Sequence, residues 1–416
     1  MKYLDTHLYD EFKKIFKWTL LTNRVCLLCV IVMTDFWTIL VYLLAIWAGI
    51  YLISYIVRHP SLEIGPFMIF FRTKRFNKFI NSIARKFSFI WRLFAPVGVL
   101  ISLVLMVYGF YFLVYNIFSY LFLPQDALPV QPLIPGVTIS FSTLTYLLIP
   151  LAIILFTHEL MHGIIARLNG MRIKSSGLFM IFVLPGGFVE IDEQDLYGSS
   201  IESRERVFAA GSFINIITAI FALLLIINFT LVISPFFTPS NGILIASVTP
   251  NSPAENVLHQ WDILYGINGT QFGNLTAFYS YMDHVRPGDL LILNTSRGII
   301  TIYAGHHPSN ASRGFIGILP FPYYKPIGLG QLLGVSFPYH LYSVLNWLWI
   351  LALNLAVFNM LPIPPLDGDK LLYALLERVF QRNTVNKAMN YIRTITFTIL
   401  LVNILFTFFS GGFMLL

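Results

Sequence analysis

Residues 144–168 read LTYLLIPLAIILFTHELMHGIIARL, and Glu159 and Arg167 are their only formal charges. A run of this length and apolarity is long enough to cross the roughly 30 Å hydrocarbon core of a bilayer as one helix. Inside it lies His158-Glu159-Leu160-Met161-His162, an H-E-x-x-H. On a helix, residues four apart sit one above the other, so the two imidazoles face one point and Glu159 projects beside them. Ionisable side chains at bilayer depth are costly, so a cluster of them there reads as a functional site.

The rest of the chain agrees with a membrane setting. Of its 416 residues, 56% are hydrophobic and only 11% charged, with a mean hydropathy of +0.73. That composition excludes a water-soluble globule. Apolar stretches predict six spans, near 36–57, 95–122, 144–168, 207–233, 339–361 and 393–415. The segment 18–33 is also apolar but carries Arg24. It is left open as a short seventh span, a re-entrant turn or an interfacial helix. Cys26 and Cys29, one turn apart in that run, read as buried thiols and imply no disulfide framework. The N-terminus lacks the short apolar core and cleavage site of a signal peptide.

Charge asymmetry sets an orientation. Between 58 and 96 there are eight basic residues (Arg58, Arg72, Lys74, Arg75, Lys78, Arg85, Lys86, Arg92) against the single acid Glu63, while 123–143 holds no Lys or Arg. By the positive-inside rule the first loop is cytoplasmic and the second outside. Alternation then puts 234–338 outside and 362–392 inside. Lys2, Lys13, Lys14 and Lys17 fall outside on a six-span count, which is the best support for a seventh. The Arg72–Arg92 stretch interleaves Phe76, Phe79, Ile80, Ile83, Phe87 and Phe89 with its cations, as an interfacial helix on anionic lipid does. The net charge of +7 therefore needs no nucleic-acid partner.

Two histidines leave a tetrahedral zinc incomplete. A catalytic site takes a third protein ligand and keeps the fourth position for water. Asp367 is the candidate, in Asn359-Met360-Leu361-Pro362-Ile363-Pro364-Pro365-Leu366-Asp367-Gly368, where three prolines must end the fifth span. With about 1.5 Å rise per residue, His158 lies two thirds of the way along a span running outside to inside. The fifth span runs the same way, so Asp367 is expected at the same depth, on an unwound segment.

At this point the chain resembles the site-2 proteases, a family of intramembrane zinc metalloproteases. The resemblance rests on His158 to His162, on Gly211-Ser212-Phe213-Ile214-Asn215 as G-x-x-x-N, and on Asn359-x-x-Pro362 followed by Leu366-Asp367-Gly368. It implies one zinc ion held by His158, His162 and Asp367, with Glu159 as the acid/base residue. Asn215 and Asn359 would be amides near substrate or the developing oxyanion, or interhelical hydrogen bonds that fix packing. Gly211 also suits a close helix contact.

Phe182 to Ile191 reads as two short strands about a Pro185-Gly186-Gly187 turn, or as a plain cytoplasmic loop; the resemblance implies a membrane-associated β-hairpin beside the metal, whose exposed edge would hold a substrate extended by strand addition. Residues 241–305 resemble a PDZ domain, with strands at Gly242–Val248 and Asp262–Gly269, a helix starting near Pro253, and turns at Pro287-Gly288 and Arg297-Gly298. Trp261 stands where the pattern has glycine. This domain would bind peptides or exclude large ectodomains sterically. Four N-x-S/T sequons (Asn268, Asn274, Asn294, Asn310) suit an extracytoplasmic face.

The expected architecture is a polytopic α-helical membrane protein of about six transmembrane helices, with that short hairpin and one inserted extracytoplasmic PDZ-like α+β domain. Its parts are an N-terminal region at 1–143, catalytic core at 144–233, PDZ-like domain at 241–305 and catalytic core again at 339–416. The expected activity is zinc-dependent endopeptidase cleavage of transmembrane protein substrates in the lipid bilayer of the cell membrane. The cut would fall near the cytoplasmic side, after an upstream site-1-type protease, and release a cytoplasmic fragment. Two other classes stay open: a catalytically silent membrane binding protein using the PDZ-like domain, and a transporter, which would also place ionisable groups and a broken helix at depth.

Overall fold

The computed structural model describes residues 41, 44–52, 61–65, 67–134, 137–181 and 184–411. The segment 18–33, both cysteines and the N-terminal lysines lie outside these residues. So does most of the expected span 36–57, of which 41 and 44–52 are helical.

Among the described residues five helices are long and apolar enough to cross a membrane, and each continues an apolar run read above. A short amphipathic helix, α1 (Lys74–Lys86), precedes them, its first turn capped by Thr73, whose hydroxyl accepts from Arg75 N. It leads into α2 (Ser88–Phe122), which at 35 residues is about 52 Å long and so exceeds the bilayer core. The H-E-x-x-H helix is α3 (Phe141–Leu168), N-capped by Ser140. Next come α4 (Ile201–Ile227), capped by Ser200, then, after the strand-rich segment 237–326, α6 (Phe337–Asn359) and finally α8 (Arg382–Gly411). Helix α4 is central and packs against α2, α3 and α6. Its buried positions include Ala209, Ala210, Gly211, Ser212, Ala219 and Ala222. Small side chains let backbones approach where no hydrophobic driving force separates helix from lipid.

The apolar stripe of α1 is not free for lipid. Ile80 and Ala84 are buried against Met161, Ile164 and Ile165 of α3, while Arg75, Lys78, Arg85 and Lys86 stay exposed.

Two sheets accompany the helices. The first is a four-stranded antiparallel meander, β1 (Leu62–Gly65), β2 (Met68–Arg72), β3 (Ile173–Ile181) and β4 (Leu184–Ile191). The expected lone hairpin is thus half of a larger sheet, because 62–72 pairs onto the open side of β3. The Pro185-Gly186-Gly187 turn is also corrected: these residues lie inside β4, opposite Met180, Phe179 and Leu178. Proline is tolerated there because β4 is an edge strand. The glycines serve close approach. A Cβ on Gly186 would run into the Phe179 ring, and one on Gly187 would lie 3.0 Å from Phe156 of α3. The sheet therefore lies directly on the H-E-x-x-H helix.

The second sheet has strand order β12-β5-β6-β8-β9, formed by β5 (Phe237–Val248), β6 (Ile263–Ile267), β8 (Leu290–Thr295), β9 (Gly298–Tyr303) and β12 (Ile318–Pro326). The two-residue β7 (Thr270–Gln271) pairs β6, and β10 (Gly305–His307) with β11 (Asn310–Phe315) forms a separate hairpin. Ile243, Ile245, Leu264, Leu291 and Leu293 bury one face against α5 (Leu275–Met282) through Phe278 and Met282. The turns at Asn268-Gly269, Gly288 and Gly298 carry positive φ, as their residues allow. The helix expected from Pro253 does not form. Asn251 and Asn256 both take left-handed φ (57° and 64°) and break the segment into turns, and the helix starts instead at Leu275, where Asn274 caps it at 2.9 Å. Trp261 keeps the backbone glycine would have, at φ 73°.

Candidate metal centre

Proline ends α6. After Asn359 the chain turns through 360–366 and restarts as α7 (Asp367–Glu377) with Asp367 as its first residue. Asp367 was expected on unwound backbone; the prolines unwind only the residues before it. The break brings a helix start, and with it a carboxylate, to the H-E-x-x-H face of α3.

Three donor atoms converge there. His158 Nε2 and His162 Nε2 lie 3.1 Å apart, and Asp367 Oδ2 lies 3.1 Å from the first and 3.0 Å from the second. All three residues are nearly buried, their side chains 8–12% exposed. Donors held about 2.0–2.2 Å from one tetrahedral zinc stand about 3.3–3.6 Å apart, so the triangle fits such an ion after opening by a few tenths of an ångström. Among the described residues this is the one cluster of three such donors. The other oxygen, Asp367 Oδ1, accepts from Lys370 Nζ at 3.3 Å.

Helix α4 forms the wall behind the histidines. Val207, Gly211 and Asn215 are spaced by four and line one stripe. The Val207 carbonyl accepts from His162 Nδ1 at 2.7 Å, which leaves His162 Nε2 with its lone pair for a metal. A Cβ on Gly211 would lie 2.5 Å from Nε2 of both His158 and His162, so only glycine leaves room for the two rings. Asn215, 1% exposed, has its amide 3.2 Å from His158 Nδ1, on the ring's other side from the cluster. Glu159 is half-buried and, among the described residues, engaged in no side-chain hydrogen bond or salt bridge. Asn359, the last residue of α6, is half-buried and likewise makes no side-chain hydrogen bond among them; it does not join the cluster.

Ion pairs from two arginines to buried carboxylates hold α7 in place, and the sequence reading missed them. Asp369 receives two bonds from Arg393 of α8, at 2.6 and 2.8 Å. Glu205 of α4 receives two from Arg378 just beyond α7, at 2.7 and 2.6 Å. The visible signal was only that Glu205 and Arg393 fall within or beside apolar runs, where a lone charge is costly and needs a partner.

A model of peptidase family M50 matches residues 146–403, from the H-E-x-x-H helix through α8. The chain belongs to peptidase family M50. The M50 relatives include an uncharacterized protein of Methanocaldococcus jannaschii, 26% identical over 337 residues, which are 79% of this chain and 83% of that protein. A membrane-bound transcription factor site-2 protease homolog of Arabidopsis thaliana is 23% identical over 201 residues, 48% of this chain and 39% of the plant protein. A Clostridium perfringens protein provisionally named a zinc metalloprotease is 23% identical over 323 residues, 62% of this chain and 94% of that protein. The M50 chain is thus a multi-pass membrane metalloendopeptidase of the site-2 protease family.

Proposed function

We propose that this protein is a zinc-dependent endopeptidase that hydrolyses peptide bonds within transmembrane segments of other membrane proteins, releasing a fragment on the cytoplasmic side. The observation that carries this reading is the triangle of His158 Nε2, His162 Nε2 and Asp367 Oδ2, 3.0–3.1 Å on a side, enclosed by apolar helices. Two imidazoles and a carboxylate are the donor set of a catalytic zinc, and zinc when bound lowers the pKa of a water and polarises a carbonyl. Glu159, next to His158 and among the described residues in no side-chain hydrogen bond or salt bridge, would accept the proton of the attacking water and pass it to the leaving amide nitrogen. The Asn359 amide, in no side-chain hydrogen bond among the described residues, would meet the substrate backbone.

Depth and orientation follow from length and charge. His158 is 17 residues from the start of α3 and ten from its end, about 26 Å and 15 Å along the axis. With the basic loop inside, the cut falls in the cytoplasmic part of the membrane of the cell. The β5–β12 body then lies outside as a PDZ-like domain. Its edge strand β12 carries Pro320 and Pro322, positions without an N–H to offer an added strand. That favours steric exclusion of large ectodomains, which an upstream site-1-type protease would first remove, over peptide capture.

The test is a purified full-length protein reconstituted with a fluorescent transmembrane peptide. Glu159→Gln should retain zinc and lose at least about a hundredfold in turnover, as removal of a general base does. Undiminished cleavage by that variant would sink the assignment.

A further inference from the structure

We propose that Asn215 is a positioning residue of the metal centre, its amide oxygen accepting the Nδ1–H of His158 and so holding Nε2 of that ring in its ligating form. This deepens the zinc reading above and rests on it.

The two histidines present the same problem. A neutral imidazole carries one proton, and a ring that ligates through Nε2 must carry it on Nδ1, where it needs an acceptor. For His162 the acceptor is the backbone carbonyl of Val207 at 2.7 Å. For His158 the one hydrogen-bonding group at Nδ1 among the described residues is the Asn215 amide at 3.2 Å. The two ends of an amide are alike in size, and which end faces a neighbour is set by the hydrogen-bond network. His158 Nε2 sits at 3.0–3.1 Å contacts with a second imidazole and a carboxylate, so with a metal bound Nδ1 is the donor and the amide oxygen must face it.

Burial makes the arrangement consequential. Asn215 is 1% exposed, and as drawn, with its nitrogen towards His158, its Oδ1 is buried without a partner. Turning the amide gives that oxygen the imidazole proton. Helix periodicity supplies both acceptors from one element: Val207 and Asn215 lie two turns apart on the stripe of α4 whose middle is Gly211. One acceptor is main chain and unchangeable by substitution; the other is a side chain, which makes the idea testable.

The experiment measures zinc affinity by chelator competition on full-length protein in detergent, alongside turnover. Asn215→Leu removes the acceptor and should weaken zinc binding about 10- to 100-fold, the usual loss for such a partner. Asn215→Asp keeps an oxygen at the same reach and should hold zinc within a few-fold of wild type. Should the leucine variant not fold, Asn215→Ser, too short to reach Nδ1, takes its place with the same expectation. Wild-type zinc affinity in the leucine or serine variant, with turnover lost, would overturn the proposal and leave Asn215 acting on substrate. A wild-type protein that holds no zinc would instead overturn the metal reading itself.

Discussion

The two ends of the membrane core are built from different interactions. Around the metal centre the helices are tied by directional polar pairs: Arg393 to Asp369, Arg378 to Glu205, and each imidazole to a group on α4. Where the second sheet meets the membrane helices, the contact is aromatic. Phe237 stacks on Phe337 at 5.9 Å, Phe321 meets Tyr339 at 5.3 Å, and Trp261 lies 5.0 Å from His340. Ion pairs and hydrogen bonds prescribe atom positions to tenths of an ångström, as three converging donors require. Ring contacts supply buried area and tolerate several geometries, which suffices for seating a domain.

This contrast can be broken most severely at Gly211. Gly211→Ala puts a methyl into the two ligand rings and should lower both zinc affinity and turnover at least about a hundredfold, measured by metal analysis and peptide cleavage. Wild-type zinc content in that variant would show the polar end to be as forgiving as the aromatic one. A smaller effect is expected one contact further out. Arg393→Leu leaves the buried Asp369 carboxylate unpaired two residues from Asp367, and should cost about 3 kcal/mol of stability, the lower end of the range for one broken buried pair. A thermal unfolding scan with and without chelator checks it; the loss should exceed that of Arg172→Leu, whose ion pair with Asp195 is exposed.

The smallest effect should come from the aromatic end. Trp261→Gly removes ring contacts worth about 0.5–1.5 kcal/mol each but also relieves a left-handed backbone that costs a non-glycine residue about 1–2 kcal/mol. The relief offsets only part of the two lost contacts and of the apolar area they bury, so stability should fall by less than for Arg393→Leu, with zinc content unchanged. Loss of zinc in that variant would mean the two ends are mechanically coupled.

Periodicity and charge made much of the core legible. Apolar length announced the helices, because a bilayer sets the length it needs. H-E-x-x-H and the proline-broken Asp367 pointed to one cluster, and the structure brings those three side chains together. Other features depend on which elements meet. Pro185-Gly186-Gly187 has the chemistry of a turn and lies in a strand because the Phe179 and Phe156 rings need the space. Pro253 looked like a helix start, and left-handed Asn256 cancels it three residues later. The stripe of Val207, Gly211 and Asn215 is visible as a spacing of four, yet nothing in the spacing says that two imidazoles face it.

The Lys370 contact has a consequence in coordination number. A carboxylate that grips an ion with both oxygens occupies two places in its shell. Asp367 has one oxygen drawn away by an ammonium at 3.3 Å and presents the other alone. If His158, His162 and Asp367 each gave one atom to a metal, the cluster would leave places for water and substrate, as catalytic zinc sites do.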